Sequence, residues 1–416
     1  MMLPCRIHHP RKRVNLPLAV LFAISLLAPV VQGTAQDAAG SSEEAGPTFF
    51  PLVPLQITAE VDLGYDDNVN FGGSTGGGSL FARENLVLTY HRNTRRTQVE
   101  LLGVGRFAQF FDLSTDDKNG NVTLSLTHAA STRLIFYASA YAAYQTEPDF
   151  VSNVGLENVR ADHFFTNDTL WVAYYWLPRF VTITSYTFQR VKYAQSAGAS
   201  QVSQADQASQ DRMGNTLGEQ LLFSLTSRTD LIGTYRFEIM DYDTAPRDSI
   251  THYALAGFNH HLTEHLIFRV LGGATFRSFK SDGDTIDPSA EGSLTYLSSN
   301  HSVQWTTSYG VEEPSSTTAV TRTTIRTGLR LTYDLTSRIT STTGVYYHHD
   351  VNEDAGPSGF TPGGSQDALY FSLGLKYTIN KHFAVQINYE HTTESALGTT
   401  PGYSRNRYFG GLTYNY

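Results

Sequence analysis

At 416 residues the chain is long enough for two or three soluble domains or for one large β architecture. Hydrophobic residues make up only 40%, and 24 Tyr, 24 Phe and 34 Gly stand against 4 Met, a mixture that favours strands over helices. A net charge of −9 argues against non-specific nucleic-acid binding, whose footprint is basic, so no nucleic-acid partner is expected.

Residues 1–36 carry a basic front (Arg6, Arg11, Lys12, Arg13), an apolar run over 16–31 and small residues after it, the layout of a secretory signal. The run is shorter than the ~20 residues of a spanning helix and holds Pro17 and Pro29, which favours cleavage over anchoring. Cleavage would remove Cys5, the sole cysteine. It would also remove four basic residues and no acidic one, taking the net charge from −9 to −13. Residues 37–55, small and polar and then Pro-punctuated, are expected to be a periplasmic lead-in.

From residue 56 to 416 the pattern is uniform. Ile57, Ala59, Val61, Leu63 and Tyr65 alternate with Thr58, Glu60, Asp62 and Gly64. The same period of two recurs late in the chain, where Leu369, Phe371, Leu373 and Leu375, then Phe383, Val385 and Ile387, alternate with Tyr370, Ser372, Gly374, Lys376, Ala384 and Gln386. Short turns recur at 128–134, 175–180, 225–231, 261–266, 297–303, 335–340 and 379–385. Between them lie longer interruptions rich in Gly, Asp, Ser or Pro, such as 145–162, 194–211 and 351–367. Brief turns at one end, longer loops at the other and alternating strands predict an all-β fold, a transmembrane antiparallel up-and-down barrel of about 18 strands with both ends on the periplasmic side. The chain ends YFGGLTYNY, with Tyr408, Leu412, Tyr414 and Tyr416 on one face beside Gly410. A lipid-facing strand that closes against the first is expected there.

That final strand resembles the C-terminal strand of outer-membrane proteins read by the barrel-assembly machinery, although those most often finish on Phe. Near the other end, Gly64, Tyr65, Asp66, Asp67 and Asn68 resemble the opening stretch of the beta-barrel porin 2 family. The resemblance implies an outer-membrane location and passage or export of solutes, in some members with exopolysaccharide systems.

Two motifs suggest other chemistry. His261, Glu264 and His265 fit the H-x-x-E-H pattern of inverted zinc peptidases, which needs a helix, yet they sit between two strand runs where a turn is expected. The glycine run 72–78 lacks the Gly-Lys-Ser/Thr ending of a phosphate loop. Asp66, Asp67, Asp112, Asp116, Asp117, Asp241 and Asp243 fall at the expected outer rim, where solvation outweighs cation bridging to lipopolysaccharide.

A porin-like channel for small solutes or saccharides is therefore expected, with an outer-membrane enzyme or a secretion-complex scaffold as alternatives. No catalytic residues, metal or cofactor are expected. Arg322, Arg326 and Arg330 share the polar face of one strand, and Arg236, Arg269 and Arg277 extend the positive arc; all six are expected to line the pore. Their nearest neighbours are mostly neutral, with only Glu312 close to the outer end, and against the opposing charge of −13 and the acidic rims this predicts a weak preference for anions or acidic sugars. Outer-membrane lipid, lipopolysaccharide and the barrel-assembly machinery are the expected partners, with the oligomeric state left open.

Overall fold

A computed structural model describes residues 54–71, 77–113, 115–147, 160–194, 207–280, 283–314, 319–356, 359–397 and 401–416. The expected signal at 1–36, the loop glycines 72–76 and most of the lead-in lie outside them. Eighteen strands follow one another: β1 (Leu55–Asp66), β2 (Ser79–Asn93), β3 (Thr97–Phe110), β4 (Asp116–Ala129), β5 (Leu134–Gln145) and β6 (His163–Leu177). Next come β7 (Phe180–Tyr193), β8 (Arg212–Ser224), β9 (Thr229–Tyr242), β10 (Ser249–His261), β11 (Leu266–Phe279) and β12 (Gly283–Leu297). The chain ends with β13 (His301–Glu312), β14 (Ala319–Thr336), β15 (Ile339–Gly356), β16 (Gly359–Thr378), β17 (Phe383–Glu394) and β18 (Tyr403–Asn415).

Each strand pairs antiparallel with its sequence neighbours, and β1 pairs with β18, so the sheet closes on itself. The closing register sets Ala59 opposite Tyr414, Val61 opposite Leu412 and Tyr65 opposite Tyr408. Closure leaves no edge whose amides and carbonyls hydrocarbon would strand.

Alternation sets the two faces. On β1, Val61, Leu63 and Tyr65 point out, 44–64% exposed, while Asp62 and Asp66 point in and are fully buried. The outward faces of β16 and β17 carry Leu373, Phe383, Val385 and Ile387, as the sequence predicts. Tyr408, Leu412 and Tyr414 likewise point out of β18. Two rings of exposed aromatics bound this apolar belt. Tyr65, Phe107, Tyr144, Phe164, Phe276 and Tyr408 form the upper ring, and Phe136, Trp176, Phe223, Tyr333, Tyr377 and Tyr414 the lower. An apolar band between aromatic girdles around a polar interior is the surface of an outer-membrane barrel, and this chain is one. Among the described residues no helix is long and apolar enough to cross a membrane. An arginine at Leu373, between the girdles, is expected to cost about 2–4 kcal/mol in lipid, measured by denaturant unfolding in vesicles. Unchanged unfolding would contradict the outward register.

The short turns fall where expected, all at the periplasmic end, and His261–His265 lies at one of them, between β10 and β11. The outer connections differ from expectation in two ways. Only short spacings separate β3 from β4 and β11 from β12, and in the Gly- and Pro-rich stretch 351–367 residues 351–356 and 359–367 are ladder rather than loop. There β15 and β16 stay paired out to Gly356 and Gly359, with a register shift between Asn352 and Glu353. A continuous backbone ladder, absorbing its irregularity in one bulge, overrides the turn-like composition.

Candidate functional site: the charged lumen

Inward positions gather charge into two clusters. The first lies at the outer end of the seam between β1 and β18. Asp66 accepts from Arg405 Nε at 3.0 and 2.9 Å and from Arg407 Nε at 3.1 Å. Glu147, just beyond β5, accepts from Arg405 Nη2 at 2.9 Å and Arg407 Nη2 at 3.1 Å. Arg160, just before β6, donates to Glu147 at 2.9 Å and to the Val69 carbonyl at 3.3 Å, and pairs with Asp117. Below these, Arg83 donates to Asp62 at 2.6 Å with its guanidinium 4.0 Å above the Phe409 ring. Gln386 completes Asp62 at 3.2 Å.

The Gly-Tyr-Asp-Asp-Asn stretch now has a physical role as the outer clasp of the seam. Asp66 takes the arginines of β18. Asp67 accepts from the Asn406 amide and side chain, each at 2.7 Å. The Asn68 side chain donates to the Ser404 carbonyl at 2.9 Å. Gly64 is required because a Cβ there would lie 2.4 Å from the Tyr408 carbonyl and 2.7 Å from the Phe409 Cβ. Asp66 and Asp117 are thus buried ion-pair members, which corrects the expectation that the rim carboxylates are mainly solvated. Asp243 does lie at the rim, held by Arg190 at 2.9 Å and Lys192 at 3.0 Å.

Glu147 reaches far for one side chain. β5 is five strands round the wall from β18, about 24 Å at ~4.8 Å per strand. Thr146 and Glu147, the described residues beyond β5, therefore turn inward from the wall towards β18. Burial alone would raise the Glu147 pKa, but the Arg405 and Arg407 guanidiniums outweigh it and hold it below the ordinary carboxylate value. The tie is therefore at full strength above the ordinary Glu pKa and is lost only as pH falls through the depressed one. Single-channel conductance is expected to stay flat from neutral pH down to the ordinary carboxylate range and to rise below it. Glu147→Gln should show the raised level throughout, and a wild-type step near neutral pH would contradict the assignment.

The second cluster spans β9 to β15 and holds the arginines singled out in the sequence. Arg322, Arg326 and Arg330 all face inward from β14, but their neighbours do not leave them bare. Arg322 is 1% exposed and bonds Asp350 at 3.0 Å and Glu312 at 3.3 Å. Arg326 bonds the same Glu312 at 2.9 Å. Arg277, also buried, donates to Thr251 at 3.2 Å and pairs with Glu313. Arg236 pairs with Glu291 at 2.5 Å and lies 4.9 Å from the Tyr253 ring centre. Arg269 faces inward on β11, in register with Ser293. The expectation that little nearby charge neutralises the ladder is therefore corrected, because Glu312 of β13 takes both Arg322 and Arg326 and β15 adds Asp350.

The sequence reading missed Glu147, Arg160, Arg405 and Arg407. A signal was present for two of them, since Arg405 and Arg407 share the polar face of the last strand as Asp62 and Asp66 share that of the first.

No family model matches the chain, and no curated protein matches it. Among solved structures, the copper transporter OprC is similar with a TM-score of 0.46 and 11% identity, covering 89% of this chain and 82% of that one. The outer membrane protein OpdK from Pseudomonas aeruginosa gives 0.42 and 11%, covering 87% and 99%. The siderophore receptor PirA from Acinetobacter baumannii gives 0.41 and 8%, covering 87% and 80%. Likeness this distant carries no residue-level assignment, and the account of the lumen rests on the chain's own side chains.

Proposed function

We propose that this barrel is a porin-like channel, without catalytic chemistry, that passes small solutes or saccharides across the outer membrane. We further propose that it belongs with the beta-barrel porin 2 family and serves an exopolysaccharide system, as its Gly64–Asn68 stretch suggests. The barrel-assembly machinery is the partner that this reading assigns to the final strand.

The observation that carries the channel reading is the lumen wall. Eighteen strands enclose a space wide enough for water, and the wall facing it is built from charged and hydroxylated side chains. Paired charges of both signs at close quarters favour hydrated, hydrogen-bonding solutes over apolar ones. Because Glu312 and Asp350 offset Arg322 and Arg326, the anion preference is weak.

Planar-bilayer recording of the purified protein tests this reading. A stable water-filled conductance with a small anion-directed reversal potential is expected, moving towards cations in Arg326→Ala/Arg330→Ala as Glu312 loses a partner. A silent bilayer would refute the channel. Swelling of proteoliposomes in neutral and acidic oligosaccharides would then rank the solutes.

A further inference from the structure

The outward wall is not apolar all the way round. On β1, β16, β17 and β18 the outward residues between the girdles are Val61, Leu63, Leu373, Val385, Ile387 and Leu412. On β6 to β10 they include two carboxylates. Asp168 lies on the outward face of β6, between exposed Phe164 and Leu170 on the same side and buried Asn167 and Thr169 on the other. Glu219 lies on the outward face of β8, between exposed Leu217 and Leu221. Both sit between the aromatic rings, Asp168 four residues below Phe164 and Glu219 four residues above Phe223.

Hydrogen-bonding groups surround them. Thr184 donates to Glu219 at 2.6 Å, and Tyr186 donates to Asn215 at 2.7 Å. Tyr235, opposite Glu219 in the ladder, lies 2.7 Å from His252 Nδ1. With the phenol donating to Nδ1, the ring proton sits on Nε2 and is available as a donor. The row from β6 to β10 is about 19 Å wide at ~4.8 Å per strand.

We infer that this polar stripe on β6–β10 is the contact surface for a second copy of the same chain within the membrane. Acyl chains offer no partner to a carboxylate, so lipid is the poorest neighbour for this face. The stripe holds acceptors at one side, Asp168 and Glu219, and at the other the Nε2–H donor of His252, set by Tyr235. It is therefore complementary to itself when two barrels of the same orientation and depth meet. A second copy matches the stripe in height automatically, because its own girdles fix it in the same bilayer.

The test uses cysteine variants in a Cys5→Ser background, oxidised in native outer membranes, with copy number measured by mass photometry after direct extraction into lipid nanodiscs. Asn215→Cys is expected to give a disulfide-linked pair of identical chains, and Ile387→Cys on the far wall to give none. Wild-type particles are expected to contain more than one copy. Asp168→Leu/Glu219→Leu, which makes the stripe compatible with lipid, is expected to give single copies that still show the heat-dependent gel shift of a folded barrel. Single-copy wild-type particles, cross-linking of residue 215 to a different protein, or an unchanged copy number in the double variant would each overturn the inference.

Discussion

Deletion of residues 413–416 is expected to abolish assembly of the barrel. Those residues hold the last rungs of the closing ladder, with Thr413 opposite Glu60, Tyr414 opposite Ala59 and Asn415 opposite Thr58. The Tyr416 amide adds a bond of 2.9 Å to the Ile57 carbonyl. The same residues cover the lower end of β17, where Phe383 pairs with Tyr414 and Ala384 with Thr413. Their loss would therefore expose two strands at once, at the periplasmic girdle, where lipid cannot satisfy the freed groups. It would also remove Tyr414 from its packing against Phe383, ring centres 5.2 Å apart. The expected measurement is loss of the heat-stable, protease-resistant band from outer-membrane fractions. Wild-type levels of folded, surface-exposed truncated protein would refute closure through these residues.

The second large effect is expected at Asp66. Its carboxylate is fully buried and answers both Arg405 and Arg407, and it also accepts from the Asn68 amide at 3.0 Å. Removing one member of a buried pair leaves the other charge without compensation, a loss of about 3–5 kcal/mol. Glu147 still neutralises part of the exposed charge in Asp66→Ala, so the lower half of that range is expected. Chemical unfolding in lipid vesicles, followed by tryptophan fluorescence, gives the value. In a double-mutant cycle, Asp66→Ala/Arg405→Leu is expected to lose clearly less than the sum of its single variants, because the second change removes the charge stranded by the first. Strict additivity, or a loss under about 1 kcal/mol for Asp66→Ala, would show that the pairs do not hold the seam.

The architecture is legible in the sequence because period-two alternation reports directly which side each residue faces. Val61, Leu63 and Leu373 alternate with polar neighbours, and each emerges on the lipid side. The eighteen strands and the periplasmic turns follow from the same signal. Pairing across the sheet is less legible. The sequence displays Arg322 and Arg326, with Glu312 near their outer end, but it does not show that Glu312 meets both or that Asp350 stands beside Arg322. A one-residue difference in register would have placed other groups beside them. Glu147 is harder still, since its partners lie some 260 residues away on β18 and its reach depends on how the chain leaves β5. The stretch 351–367 misleads because glycine and proline content reports local turn preference, whereas the ladder of β15 and β16 is fixed by its neighbour.

The clasp between β1 and β18 also governs the timing of the molecule. Asp66 and Arg405 are separated by 339 residues, and their strands are the first and last of the barrel. Neither can find its partner until every intervening hairpin is in place. The bolt then forms in one step, with several guanidinium–carboxylate contacts made together around the buried Asp66. Opening the cylinder must break them together as well. Such a barrel is kept folded more by the height of its exit barrier than by the depth of its energy well. Its unfolding and refolding curves in lipid should accordingly fail to superimpose, with the gap narrowing when the bolt is weakened.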